Sequence, residues 1–370
     1  MNQRPRFAAN LLGALALLAL ASCSALPRWV PFSPRHIPSA IKAADVDEAI
    51  QKAEAALERG DTETAIDWMR AATRATGMPV EKRDRVQILL ETACSQRIAQ
   101  LSESPDGADG LAAMVDIDLP RQLAVEAGLR AATQMMAAGD GLDAYDVLKK
   151  LDTKFPLHHE RQRAGDLMCE IGLTAIADGP GFLGFFSTQD EGQAILEYVI
   201  LNAPWARRCD EAYWTLTAYY EADRDWDLAI DRAEKLVLNH PGSALRPAAQ
   251  AHVPHLRLAS IKSPEYDRGA IQKARFELQE WLASYAGKND LEERVRIDLG
   301  DALRRLSDND MIVSRFYQRV DNAYGARTHA VRAIEEAREA NDLRRVEAAE
   351  AWLNRLPAAA GPEAPAEVAP

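Results

Sequence analysis

Length, composition and charge exclude several classes of protein. The chain has 370 residues, of which 47% are hydrophobic, 27% charged and 6% aromatic, so it is neither collagen-like nor wholly disordered and can form one or two domains. A formal charge of −12 argues against sequence-independent binding of nucleic acid, which needs a basic surface. Four cysteines, at positions 23, 94, 169 and 209, show neither zinc-site spacing nor the density of a small disulfide scaffold.

The first 22 residues have the pattern of an export signal. Arg4 and Arg6 precede an apolar run from Phe7 to Leu20, which is too short to span a membrane as a helix. The run ends in Leu20-Ala21-Ser22-Cys23, which resembles the bacterial lipobox. We therefore expect a lipoprotein signal peptide at 1–22 and lipidation of Cys23; the alternative is an ordinary secretory signal with an incidental cysteine.

The residues after Cys23 indicate where the protein is anchored. Ser24 stands where an aspartate would signal retention in the inner membrane, so the resemblance points to the outer membrane. Residues 23–42 contain four prolines and predict an extended tether. No later window approaches a membrane span, so we expect a soluble body held at the periplasmic face of the outer membrane.

From residue 43 onward, apolar residues recur at three- and four-residue steps, which predicts amphipathic helices and no sustained strand. Breakers rich in Gly, Asp and Asn predict helical hairpins at 43–77, 121–156, 160–204, 206–241, 245–286 and 308–339, with further helices near 81–101, 291–306 and 341–356. We divide them into an N-terminal repeat region, 43–204, and a C-terminal one, 205–356. The Pro, Ala and Glu composition of 357–370 predicts disorder.

The hairpins share a register that resembles tetratricopeptide repeats. Within 213–241, the aromatic, large, small and closing positions of that repeat are occupied by Tyr213, Leu216, Thr217, Tyr220, Ala229 and Pro241. The same register places Ala144 in an earlier unit, and it places Ala53, Ala56, Ala65 and Met69 in the first unit. We expect an all-α, tetratricopeptide-like solenoid of helical hairpins; the alternative is an Ala-rich helical bundle.

No motif for catalysis, metal binding or a cofactor occurs, so we expect a non-enzymatic protein without cofactor. His158-His159 and the pair His252 and His255 are the only histidine clusters. Pro254 is expected to distort a helix that would pair His252 with His255. Surface or helix-end histidines are therefore favoured over a metal site.

One long loop is unusually aromatic. Residues 178–188 contain Phe182, Phe185 and Phe186, whereas an ordinary turn between two helices is short and polar. The loop either folds back over the protein's own seam or docks a partner.

Three stretches resemble the BamD family, lipoprotein subunits of the outer-membrane β-barrel assembly machine. The first runs from Ala218-Tyr219-Tyr220 to the corner Asn239-His240-Pro241-Gly242-Ser243. The second is Ser263-Pro264-Glu265-Tyr266-Asp267, followed by Ala274, Leu278 and Tyr285. The third runs from Leu303 to Arg315-Phe316-Tyr317. The resemblance covers about 206–339 together with Cys23.

The resemblance implies a scaffold that binds a BamA-like barrel subunit and unfolded outer-membrane proteins. The alternative is another tetratricopeptide envelope lipoprotein, one that coordinates peptidoglycan or secretion. A lipid-anchored hydrolase would need a nucleophile constellation, and the sequence shows none.

Two arginines are the candidate contact with the barrel subunit. Successive helical residues point about 100° apart, so Arg315, Phe316 and Tyr317 cannot all face the core. Tyr317 occupies the inward position of the repeat, which turns Arg315 and, one turn on, Arg319 away from it. The two arginines meet either an acidic patch on the partner or local acids such as Asp308 and Asp310.

The lipid anchor is testable by changing its attachment residue. Two or three acyl chains on Cys23 would hold the protein stably, because one chain gives only marginal binding. Cys23→Ser should therefore abolish acyl labelling and release the protein from the membrane fraction, whereas Cys94→Ser should do neither. Unchanged labelling of the Cys23→Ser protein would contradict the assignment.

Overall fold

The computed structural model describes residues 37–117, 119–177 and 188–358. These residues contain fifteen α-helices and no β-strand, which confirms the all-α fold for the part of the chain described. The predicted signal peptide, Cys23, and the tail beyond residue 358 lie outside it. The described residues divide into two compact units, with the boundary between Arg97 and Ile98.

The first unit contains a hairpin of α1 (Val46–Glu58) and α2 (Thr62–Thr73). Gly60 ends α1 with a φ of 75°, a left-handed conformation that glycine adopts without a Cβ penalty. The Asp61 carboxylate accepts the Thr64 N–H at 3.2 Å and caps α2. The buried face of the hairpin comes from residues of the predicted register, namely Ala53, Ala56, Ala65 and Met69.

Helix α3 (Val80–Glu103) begins in the first unit and ends in the second. The helices that follow are α4 (Ala108–Asp116), α5 (Arg121–Ala138), α6 (Gly141–Lys154), α7 (Arg161–Ala177), α8 (Gln189–Asn202), α9 (Cys209–Ala222), α10 (Trp226–Asn239), α11 (Arg246–Ser260), α12 (Arg268–Tyr285), α13 (Glu292–Arg319), α14 (Ala323–Glu339) and α15 (Leu343–Leu353).

The second unit is a stack of helical hairpins. Consecutive helices pack pairwise from α5 with α6 to α13 with α14, and α15 packs on α14. First helices of successive hairpins also touch, as α5 does with α7, α7 with α9 and α11 with α13. Each hairpin thus packs on its neighbours in the chain, the arrangement of a tetratricopeptide-like repeat.

Helix α4 was not predicted. Ser102 to Gly110 is rich in Ser, Pro, Asp and Gly, a composition typical of a loop. The structure instead begins a helix at Ala108 and places Gly110 directly against Leu101, where an added Cβ would lie 2.8 Å from a Leu101 methyl. The close approach lets the chain turn at once from the end of α3 into α4, which then packs against α5.

The predicted break between 291–306 and 308–339 was wrong, because α13 continues through it for 28 residues. Ser307 and Asn309 have the composition of a helix boundary, yet both are buried within the helix. The Ser307 hydroxyl donates to the Ala333 carbonyl at 2.8 Å, and the Asn309 amide donates to the Pro264 carbonyl at 2.7 Å. Partners on neighbouring elements satisfy these polar groups, so the helix need not end.

The apolar core is continuous through most of the second unit. One cluster extends from Val115 to Leu256 and crosses the predicted region boundary between residues 204 and 205. A second cluster lies between Ala251 and Leu306, and smaller ones lie between Ala326 and Leu356. The short stretch of α13 between these clusters is buried but polar.

Polar bridges join the second helices of successive hairpins. Each bridge connects one helix to the next along the stack: Lys150–Asp116 (α6–α4, 2.9 Å), Tyr198–Asp152 (α8–α6, 2.8 Å), Arg232–Glu197 (α10–α8, 2.8 Å), Lys273–Glu234 (α12–α10, 3.8 Å) and Arg275–Glu339 (α12–α14, 2.5 Å). The Arg232 guanidinium binds both Glu197 oxygens, the geometry of a strong charge-assisted pair.

The repeat register is testable at Ala229, which is fully buried in the core of α10. Ala229→Leu should overpack the helix crossing and cost about 1–3 kcal/mol of unfolding free energy. Thermal melts followed by circular dichroism will measure the loss. Ala218→Leu, at an exposed alanine of α9, is the matched control and should leave the melting temperature nearly unchanged. Equal melting temperatures for both variants would reject the register.

Candidate partner-binding site

Only part of the predicted site can be placed. Cys23, Phe182, Phe185 and Phe186 lie outside the described residues. Arg315 and Arg319 lie at the C-terminal end of α13, and both side chains are exposed.

An apolar surface adjoins the two arginines where α13 ends and α14 begins. Phe316, Val320 and Tyr324 are 50%, 54% and 61% exposed. Arg315 and Arg319 are four residues apart, as are Phe316 and Val320, so each pair shares a helix face. We call these five residues the corner surface.

Neither arginine of the corner surface pairs with a carboxylate of the described residues. The two oxygens of Asp308 instead accept hydrogen bonds from Nε and Nη2 of Arg345, each at 3.0 Å. The predicted alternative of local pairing is therefore wrong for Asp308. The Arg315 guanidinium lies 5.8 Å from the Trp352 ring centre, a weak cation–π contact at an exposed site. The two positive charges are thus available to a partner.

Tyr317 points inward, between α13 and α14. Its ring stacks on His329 with centroids 5.4 Å apart, and Gly325 lies so close that an added Cβ would come within 2.7 Å of the ring. Glycine at the first turn of α14 therefore admits the tyrosine and sets the spacing of the two helices beneath the corner surface.

A buried polar cluster lies under the corner surface. Asp310 of α13 is completely buried. It accepts one hydrogen bond from Arg268 of α12 at 2.5 Å and pairs with Nδ1 of His329 on α14 at 2.5 Å. Arg268 also reaches Glu336 at 3.3 Å. The cluster therefore ties α12, α13 and α14 together through charge, in the gap between apolar clusters. The predicted alternative in which Asp310 pairs with the corner arginines is wrong, because Arg268 and His329 occupy its two oxygens.

Glu336 is the least compensated member of this cluster. Burial and the negative charge of Asp310 raise the pKa of Glu336 to about 8, while Arg268 opposes the shift. Its second oxygen has no hydrogen-bond partner among the described residues. The buried environment therefore favours the protonated form of Glu336 in the native protein.

A second cluster of titratable side chains joins the first helices of three hairpins. The sequence does not predict this cluster. Pro254 lies inside α11, yet His252 and His255 stack with ring centroids 5.3 Å apart and planes at 19°. His252 pairs with Glu221 of α9 at 2.7 Å, and His255 with Asp298 of α13 at 3.2 Å. The expected surface position is wrong for His252, whose side chain is 11% exposed. Its carboxylate partner lies 31 residues away, so no local motif could reveal the pair.

We call Glu221, His252, His255 and Asp298 the histidine row. Three of its members, Glu221, His252 and Asp298, line a small pocket of about 170 Å³. Apolar side chains form most of its wall, including Trp214, Ala251 and Val295. Burial lowers the pKa of His252, although Glu221 favours its charged form. A larger polar groove of about 830 Å³ lies between α5 and the start of α7.

The described residues contain no group of three or more His, Cys, Asp or Glu side chains arranged to hold a metal ion. No helix among them is long and apolar enough to cross a membrane.

Cys94, Cys169 and Cys209 are free and buried, and burial raises their pKa values to about 12, 12 and 11. Such thiols are poor nucleophiles.

Comparisons with known proteins leave the chain without an assigned family. No family model and no curated protein match it. A tetratricopeptide repeat protein from Parabacteroides merdae is 12% identical, covering 84% of this chain and 98% of its own, with a TM-score of 0.24. A circular tandem repeat protein with a novel repeat topology is 16% identical, covering 84% and 87%, with a TM-score of 0.26. Superpositions this loose carry no argument, and the fold assignment rests on the helices described above.

The raised pKa of Glu336 makes stability depend on pH in a specific direction. Because the pKa of Glu336 is raised from 4.5 to about 8, the folded protein binds a proton more tightly than the unfolded chain. The free energy of unfolding should therefore fall as pH rises from about 5 to about 8. Urea denaturation across this range will show the slope, and Glu336→Gln should flatten it.

The matched control is Glu335→Gln, which removes the neighbouring exposed carboxylate. This variant should keep the wild-type slope. A Glu336→Gln protein whose stability falls as steeply as that of the wild type would show that another group carries the dependence.

Proposed function

We propose that this protein is a non-enzymatic scaffold lipoprotein, anchored through Cys23 at the periplasmic face of the outer membrane. It resembles BamD and would assist the assembly of β-barrel outer-membrane proteins. Its partners would be a BamA-like barrel subunit and unfolded outer-membrane proteins. The lipobox-like sequence and the three BamD-like stretches support the proposal, and the corner surface is the observation that carries it.

The corner surface has the chemistry of a protein interface. Arginine and aromatic side chains dominate binding hot spots, because they combine large contact area with directional hydrogen bonds. Here two unneutralised guanidinium groups stand beside Phe316, Val320 and Tyr324. A partner with carboxylates around an apolar centre would complement this surface, and its charge would also speed the encounter.

Two of the BamD-like stretches form turns that position the last hairpins. Asp267 adopts a left-handed φ of 49° and caps α12 by accepting the Ala270 N–H at 2.9 Å. Ser243 donates to Asp210 at 2.5 Å, which ties the corner after α10 back to α9. The Asp267 cap fixes the start of α12, the helix that supplies Arg268 to the buried cluster.

The proposal of a non-enzymatic role draws on the histidine row. Each imidazole there already pairs with a carboxylate, as a general base would. Thr217 supplies the hydroxyl that lines the adjoining pocket, but that hydroxyl is buried and donates to the Tyr213 carbonyl at 2.8 Å. A hydroxyl held in this way is not positioned to attack a substrate.

Reversing the two corner charges tests the docking site. Arg315→Glu combined with Arg319→Glu should leave helicity and melting nearly unaltered, because both side chains are exposed. Copurification with the barrel subunit should weaken several-fold, and more so at low salt, where the repulsion is less screened. Affinity purification from detergent-solubilised outer membranes at two salt concentrations will measure this.

Arg332→Glu combined with Arg344→Glu is the matched control, since both arginines are exposed and lie on the neighbouring helices α14 and α15. This control should recover the barrel subunit at wild-type yield. If the corner double variant also does so, the docking site lies elsewhere. Recovery of peptidoglycan-binding or secretion proteins in place of a barrel subunit would favour the alternative envelope function.

A further inference from the structure

We propose that Cys169 and Cys209 form a disulfide when the chain folds in an oxidising compartment. The bond would join α7 to α9, the first helices of two successive hairpins in the second unit. The inference goes beyond the proposed function. It draws on that function only for the export that would bring the chain to an oxidant.

One face of α7 lies directly against the segment that leads into α9. The Asp166 carboxylate accepts the Arg207 N–H at 2.7 Å. Gly165 is so close to this segment that an added Cβ would lie 3.0 Å from the Ala203 Cβ. Cys169 follows Gly165 after four residues, so it shares the same helix face. The close approach of the two elements therefore extends to Cys169.

The Cys169 sulfur lies beside the backbone of Cys209. The Cys169 thiol donates to the Arg208 carbonyl at 3.4 Å, and that carbonyl belongs to the same peptide unit as the Cys209 Cα. The oxygen and this Cα are less than about 3 Å apart in a planar trans peptide, so the sulfur lies within about 6 Å of the Cys209 Cα. A disulfide holds its Cα atoms about 4.4–6.8 Å apart, a spacing that this placement allows.

Both cysteines are completely buried in one apolar cluster, where the structure holds them as free thiols, the reduced state. Burial and, after it, the charge of Cys209 raise the pKa of the Cys169 thiol, as expected for neighbouring sulfurs in an apolar core. Cys94, the other buried cysteine, belongs to the first unit. Cys169 and Cys209 are the two cysteines described in the second unit, and the fold brings them together.

The bond forms by thiol–disulfide exchange, with a small or protein disulfide as the oxidant. The thiolate of one cysteine attacks a sulfur of the oxidant, which gives a mixed disulfide and releases one thiolate of the oxidant. The second cysteine then attacks the first cysteine's sulfur, closes the Cys169–Cys209 bond and releases the second thiolate of the oxidant. The two cysteines lose two electrons and two protons, and both end on the two released thiols of the oxidant.

Burial determines when this exchange can occur. In the folded protein both thiols are shielded and held protonated, so they react slowly with an oxidant. In the unfolded chain they are accessible and have ordinary thiol pKa values, so the bond is made while the chain folds. The same burial then protects it from reductants. Since the cytoplasm keeps thiols reduced, a chain with the predicted export signal would gain the bond only after export.

Oxidative refolding of the purified full chain tests the assignment without export. A Cys23→Ser chain, which retains three cysteines, is unfolded in urea with a reductant and refolded in a mixture of oxidised and reduced glutathione. Trypsin cuts after Arg208 and so separates Cys169 from Cys209. After alkylation of the remaining thiols, mass spectrometry should show the Cys169 and Cys209 peptides joined in most molecules and Cys94 alkylated.

The bond should also stabilise the folded chain. The oxidised chain should melt several degrees above the same chain in reductant, because the cross-link closes a loop of about 40 residues in the unfolded state. Dithiothreitol should cleave the bond at least about tenfold more slowly in the native protein than in urea, because burial excludes the attacking thiolate. Cys94→Ala is the control and should leave the link and the melting shift unchanged, whereas Cys169→Ala and Cys209→Ala should each abolish both.

Four results would each overturn the proposal. They are a refolded chain with Cys169 and Cys209 both alkylated, a predominant link to Cys94 or between molecules, a melting temperature that oxidation leaves unchanged or lowers, and a bond cleaved as fast in the native protein as in urea. A failure to label Cys23 or to copurify a barrel subunit would not bear on the disulfide, so this experiment and the test of the proposed function fail independently.

Discussion

The fully buried carboxylate of Asp310 governs the geometry of the last three hairpin helices. Burying an unpaired charge costs several kcal/mol, so Asp310 is tolerated only while Arg268 from α12 and His329 from α14 remain in place. A shift of any one of α12, α13 or α14 would leave this charge uncompensated. The corner surface stands on α13 and α14, and its α13 part begins between one and two turns beyond Asp310. Its shape therefore depends on an ion-pair cluster, whereas most of the stack depends on the packing of alanine and leucine.

The sequence predicts what local chemistry determines and misses what distant partners determine. Gly60 and Asp61 predict the turn of the first hairpin, because their role follows from backbone conformation. Ala229 predicts a close helix crossing, because its role follows from the small size of the side chain. The continuity of α13 and the stacked His252 and His255 are invisible in the sequence, since Ala333, Pro264, Glu221 and Asp298 satisfy them from 26 to 45 residues away. The outward orientation of Arg315 follows from helix periodicity, but its contact with Trp352 does not. The lipid anchor and the phenylalanine-rich loop stay predictions.

The two titratable groups of the second unit lie on different parts of the stack. Glu221, His252, His255 and Asp298 join the first helices α9, α11 and α13, whereas the Asp310 cluster joins α12, α13 and α14. Helix α13 belongs to both and is long enough to keep Asp298 and Asp310 more than three turns apart. The histidine row and the Asp310 cluster therefore occupy separate parts of the second unit, joined by one continuous helix.

The polar bridges between second helices place the acid and the donor in a consistent order along the stack. From α4 to α12 the earlier helix supplies the acid and the later one the donor: Asp116 meets Lys150, Asp152 meets Tyr198, Glu197 meets Arg232, and Glu234 meets Lys273. At α12 the order reverses, because Arg275 faces Glu339 of α14. Excision of the α11–α12 hairpin would therefore bring Glu234 of α10 up against Glu339, two like charges. The fixed order of acid and donor thus disfavours a shortened or rearranged array of hairpins, because like charges would meet between the new neighbours. The reversed order between α12 and α14 sets this last bridge apart from the four before it.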